Sequence, residues 1–159
     1  MRRRFFLGSA AVLLAVGGGM AAVWQPGLRS GKLSAPARRQ LGALALALLE
    51  DQLQEAAVEA HLDAFEQTLA AFPPAVQAEL QQLMDLLANG AGRALLLGSA
   101  ADLAQRPRAE VQARLQAMRV GTLALRQQTY FALRELHGAA FYAQPAHWAL
   151  AGYPGPVSV

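Results

Sequence analysis

Residues 122–142 read TLALRQQTYFALRELHGAAFY, and the fold follows from how this stretch distributes its apolar side chains. Leu125, Ala132, Leu133, Leu136 and Ala140 recur with a helical period on one arc, while Leu123, Tyr130 and Phe141 fall on a second face. A helix that is apolar on most sides must be covered by other elements, so this one is expected in the middle of a helical bundle.

The flanking segments supply the covering helices. Upstream, Pro107 opens a helix carrying Val111, Leu115 and Met118. Before it, Leu95–Leu97 are followed by Ser99 and Asp102, a cap-like pair ahead of a brief helical turn. Pro73-Pro74 stops one helix and starts the next, whose stripe of Val76, Leu80, Leu83, Met84 and Leu87 is closed by Asn89-Gly90. A shorter helix near Leu62–Phe72 presents Leu62, Phe65 and Leu69. Ser34, with Pro36 just inside, starts an amphipathic helix extending to about Ala57, with Leu41, Leu44, Ala45, Leu48 and Leu49 on its apolar face. No run alternates with period two and no Asn-Gly or Asp-Gly turn separates β-branched segments. The expected class is all-α, a small bundle of about five helices spanning 34–143, preceded by an N-terminal apolar helix and a linker at 25–33.

Composition agrees with one domain plus an apolar appendage: of 159 residues, 54% are hydrophobic and 16% charged, which excludes a disordered chain. The excess of basic residues lies in Arg2, Arg3 and Arg4; without them, 11 basic residues balance 11 acidic ones. The body is therefore neutral, and the high pI is no argument for a nucleic-acid partner. Arg106, Arg108, Arg114, Arg119, Arg126 and Arg134 are interrupted by Glu110 and Glu135 and spread around their helices, as on a solvated surface. The absence of cysteine excludes disulfides, thiolate metal sites and a covalently attached haem on this chain.

After the Arg triplet, Phe5–Trp24 (FFLGSAAVLLAVGGGMAAVW) carries no charge. A basic segment followed by an apolar core is the pattern of an export signal or an anchor. Arg3, Arg4, Phe6 and Leu7 stand at the spacing of a twin-arginine signal, and Gly8 with Gly17–Gly19 gives the core the modest hydrophobicity such signals have. Gly19-Met20-Ala21 is the nearest approach to a cleavage triplet, so removal and retention as a membrane anchor both fit. The expected location is the periplasm, at the inner membrane if the segment is kept.

Chemistry-bearing residues are sparse. Glu59-Ala60-His61 and Glu135-Leu136-His137 place acid and imidazole on different helix faces, so neither forms a bundle metal motif. His61, His137 and His147 are expected as surface or capped histidines. No phosphate-cradling loop, dinucleotide fingerprint or nucleophile elbow is present. The unusual segment is 144–159, where Trp148 and Tyr153 sit among Pro145, Gly152, Pro154, Gly155 and Pro156 directly after Phe141-Tyr142. Two roles fit these rings: a lid over the bundle's own core, or anchors in an interface.

The ending Phe141-Tyr142-x-x-Pro145-x-x-Trp148-x-x-x-Gly152-Tyr153-Pro154-Gly155-Pro156, with Tyr130-Phe131 ahead of it and a twin-arginine signal at the N-terminus, resembles the small accessory subunits of membrane-associated flavin dehydrogenases. These comprise the gluconate 2-dehydrogenase small-subunit family and its sorbitol and glucose dehydrogenase relatives. The resemblance covers signal and body loosely and the last twenty residues well. It implies a non-catalytic subunit without a cofactor of its own. The implied partner is a large FAD-containing subunit of the glucose–methanol–choline class, often accompanied by a cytochrome c subunit. It further implies docking through Tyr130, Phe141, Tyr142, Trp148 and Tyr153, and export by the Tat translocase at the inner membrane. The competing reading is a membrane-anchored periplasmic scaffold or binding module unrelated to flavin enzymes.

Overall fold

The computed structural model describes residues 24–155; the signal residues Arg3, Arg4, Phe6 and Leu7 lie outside the described residues, as does Pro156. The described chain is all-α apart from one two-residue ribbon, in which β1 (Leu28–Arg29) pairs antiparallel with β2 (Lys32–Leu33). This ribbon stands where a plain linker was expected. Ser30 and Gly31, both at positive φ, make the turn that lets two such short strands pair. Long-range hydrogen bonds hold it: the Leu33 N–H donates to Glu66 (2.9 Å) and the Gly27 N–H to Asp85 (2.6 Å).

Six α-helices follow: α1 (Ala35–Leu49), α2 (Val58–Ala70), α3 (Pro74–Ala88), α4 (Gly90–Leu97), α5 (Arg108–Val120) and α6 (Ala124–Tyr142). Ser34 caps α1 by accepting from the Ala37 N–H. The helix stops well short of Ala57 and gives way to two 3-10 turns, Glu50–Gln52 and Glu55–Ala57. Glu50 and Asp51 would oppose the negative end of the helix dipole, and Glu50 leaves helical geometry at φ +50°. The helix α4 is the one that periodicity did not reveal, because Gly90 and Gly92 dilute its pattern. Gly92 sits so close to the Leu86 main chain that a Cβ there would overlap it. Asp102 caps the 3-10 turn Leu103–Gln105, and its neighbourhood is tied to α1 through Gln40, which donates to Asp102 and accepts from the Leu103 N–H.

The core is built from Leu41, Leu44, Leu62, Phe65, Met84, Leu87, Leu96, Leu103, Met118, Leu133 and Phe141, all essentially without solvent contact. As its apolar faces required, α6 packs on α2, α5, α1 and α4, whereas α3 packs chiefly on α4 and α1. Two buried charges are fully engaged. Glu66 accepts from Lys32, Arg38 and the Leu33 N–H, and Arg93 donates to the carbonyls of Leu87, Ala100 and Ala101. No helix among the described residues is long and apolar enough to cross a membrane.

Candidate functional site

Beyond Tyr142 the chain turns back on the end of α6. Pro145–Ala151 form a 3-10 helix that Gly152 ends at φ +69°. This turn satisfies the carbonyls that the last turn of α6 leaves open. The Trp148 indole N–H donates to the Tyr142 carbonyl at 2.8 Å, and His147 Nδ1 donates to the Phe141 carbonyl at 2.7 Å. The His147 ring lies flat on Phe141, with centroids 3.8 Å apart, and Trp148 meets Tyr153 edge to face at 5.4 Å.

The cap is fixed in place yet none of its 3-10 turn is buried. Tyr142, Leu150 and Tyr153 remain exposed, at 38%, 61% and 49% of their surface. Of the five residues expected at a docking surface, Phe141 is a core residue with no exposure, so it can act there only as support for the cap. Its position one turn beyond His137 on a core-facing arc carries it inward. Tyr130 is half-buried and packs edge-on against exposed Phe131, 5.2 Å between centroids. The large exposed apolar side chains among the described residues, Val120, Leu123, Phe131, Tyr142, Leu150 and Tyr153, all belong to the last part of the chain.

A second feature lies on the other side of α6. A groove of about 570 Å³ opens between α3 and α6, lined by Val76, Leu80 and Leu83 on one wall and Leu125, Ala132 and Leu136 on the other. Its polar lining includes Glu79 and Glu135.

The third feature corrects an expectation. His61 on α2 and His137 on α6 are buried, not surface or capped, residues. Their rings stack with centroids 5.3 Å apart, beside Phe65. Burial pushes both imidazoles well below their usual pKa, and for His61 the nearby His147 acts in the same direction. Sequence did carry a signal: His137 lies four residues from both Leu133 and Phe141, on the core-facing arc of α6. Among the described residues no group of three or more His, Asp or Glu side chains is placed to hold a metal ion.

No protein-family model, curated protein or solved structure matches this chain.

Proposed function

We propose that the protein is a non-catalytic accessory subunit that binds an FAD-dependent alcohol or sugar dehydrogenase of the glucose–methanol–choline class and supports its maturation and twin-arginine export or membrane association. The observation that carries this reading is the C-terminal cap. Trp148 is held by its hydrogen bond to the Tyr142 carbonyl, Tyr153 by its edge contact with Trp148, and Tyr142 by its hydroxyl donating to Gln52, yet the bundle does not fully bury them. Aromatic side chains fixed in this way lose little freedom on binding, which suits them as interface anchors. Tyr130 and Phe131 extend the apolar surface along α6, and Phe141 supports it from beneath.

The division of labour has a physical basis. A flavoprotein folds around its cofactor in the cytoplasm, and a twin-arginine route carries folded cargo. A small subunit bearing Arg3, Arg4, Phe6 and Leu7 at its N-terminus then takes a signal-less partner with it to the periplasmic face of the inner membrane, where a cytochrome c subunit can complete the complex. FAD belongs to the partner in this scheme, and nucleic acid has no part in it.

The test is to recover the native protein through a C-terminal tag from a detergent extract of its own cells and record the visible spectrum. A flavin spectrum with a larger copurifying chain is the expected result. A colourless eluate holding this chain alone overturns the proposal in favour of an anchored helical scaffold.

A further inference from the structure

We propose that the groove between α3 and α6 is a docking site for an amphipathic helix of a partner protein, one whose aliphatic stripe is flanked by Lys or Arg side chains. The site is separate from the C-terminal cap on which the accessory-subunit reading rests: Tyr142, Trp148 and Tyr153 have no part in its lining.

The walls decide the form of the occupant. Along α6 the lining runs from Leu125 to Ala139, about 21 Å or four turns at 1.5 Å per residue. Leu125, Thr129, Ala132 and Leu136 make a buried or half-buried inner row, and Gln128, Phe131, Glu135 and Ala139 an exposed outer row, both at helical spacing. On the facing wall Val76, Leu80 and Leu83 recur at the same interval. Rows of this kind are the ridges between which the side chains of another helix pack. The floor offers no free donor, since the Thr129 hydroxyl already donates to the Leu125 carbonyl (2.9 Å). Both walls are helices whose main-chain groups bond internally, so an extended peptide laid in the groove would leave its own N–H and C=O groups unpaired. A helix satisfies its backbone within itself and needs only apolar cover.

The lips decide the charge. Glu79 and Glu135 are the only charged residues that line the groove, and α3 contains no basic residue along its whole length. Neither carboxylate has an ion pair or side-chain hydrogen bond among the described residues. By contrast Glu59, Asp63, Glu66, Asp102 and Glu110 each have an Arg within 4.0 Å. A purely apolar occupant would cover half-buried Glu79 without supplying a counter-charge, at a desolvation cost. An occupant with cations beside its apolar stripe removes that cost and is selected over an acidic one.

The test uses the full chain in phosphatidylcholine nanodiscs, with empty discs subtracted. The probes are a fluorescein-labelled Leu/Lys model helix of about four turns and its Leu/Glu counterpart with the same Leu stripe, and anisotropy reads their binding. The Leu/Lys helix should bind at least tenfold more tightly. Glu79→Lys with Glu135→Lys should lower its affinity about tenfold and raise that of the Leu/Glu helix. The same double reversal at Glu50 and Glu55, which are exposed and outside the groove, should change either affinity less than twofold. Ala132→Trp, which fills the inner row, should block the Leu/Lys helix while the circular dichroism melt stays cooperative.

Equal effects of the two reversals would mean that net charge alone attracts the peptide and would overturn the proposal. Equal affinities for the two helices, no binding of the Leu/Lys helix, or binding indifferent to Ala132→Trp would overturn it as well. Recovery of a differently tagged copy of this chain that Ala132→Trp abolishes would assign the groove to self-association instead. No dehydrogenase enters the test, so its failure and that of the accessory-subunit reading are separable.

Discussion

His61 Nε2 lies 3.0 Å from His137 Nδ1, a hydrogen bond between two fully buried imidazoles 76 residues apart in sequence. One ring must donate and the other accept, so the contact requires the accepting ring to be neutral, and burial disfavours charge on either. Phe65 and Phe141 pack against the pair, and the remaining ring nitrogens, His61 Nδ1 and His137 Nε2, have no hydrogen-bond partner among the described residues. The pair joins α2 to the central helix at the cost of an environment that resists protonation.

The stability of the bundle should therefore fall on mild acidification. Burial sets the folded pKa of His61 at about 4 and that of His137 at about 3. Both lie below the unfolded value, so the unfolded chain takes up protons first. The stabilisation is complete above pH 6.5 and is lost as pH falls toward the folded values, by roughly 2 kcal/mol per ring at pH 5. Urea denaturation at pH 7.5 and pH 5 measures this. The double variant His61→Asn, His137→Asn should be weaker at pH 7.5 and nearly flat between the two, a window that lies above the titration of the lowered carboxylates Glu66 and Asp102.

Glu66→Gln should destabilise the protein by about 2 to 3 kcal/mol, since it leaves Arg38 and Lys32 without the carboxylate that both address. Burial alone would raise the carboxyl pKa, but the hydrogen bonds from Lys32 and the Leu33 N–H, with the charge of Arg38, outweigh it and hold it low. Hydrogen exchange at the Leu33 amide should accelerate along with the drop in urea midpoint, because the same carboxylate anchors β2.

Gly27→Ala should unseat the ribbon. A Cβ at Gly27 would overlap the Met84 main chain, and backbone in α3 cannot yield as a flexible side chain would. Loss of the Gly27–Asp85 hydrogen bond would appear as rapid exchange of the Gly27-position amide, with α6 amides unaffected.

Trp148→Ala separates the two roles of the aromatic tail. The ring is only half-buried and its cap contributes nothing fully buried, so the melting free energy should change by about 1 kcal/mol. Copurification of the flavin-containing chain should be lost. Unchanged copurification with a fall of several kcal/mol would make Trp148 a lid residue instead.

Arg3→Lys with Arg4→Lys should hold both this protein and the dehydrogenase activity in the cytoplasm, as fractionation would reveal. Export of both at the normal level would remove the escort role and leave the docking role standing.

Helix positions were legible because they depend on local order. Pro73-Pro74, Pro107, Ser34 and the apolar period around Leu133 specify where helices start and which face turns inward, and the structure has helices at those places. The centrality of α6 could be read for the same reason, since apolar side chains on two faces require neighbours on both. The ribbon could not: two-residue strands have no period, and theirs depends on Glu66 and Asp85, more than thirty residues away. Neither could the pairing of His61 with His137. Periodicity places each ring on an inward face, but which inward faces meet is set by how six helices pack, through contacts distant in sequence. The groove has the same origin, because its walls come from α3 and α6, which lie apart in sequence and whose relative placement no local pattern encodes.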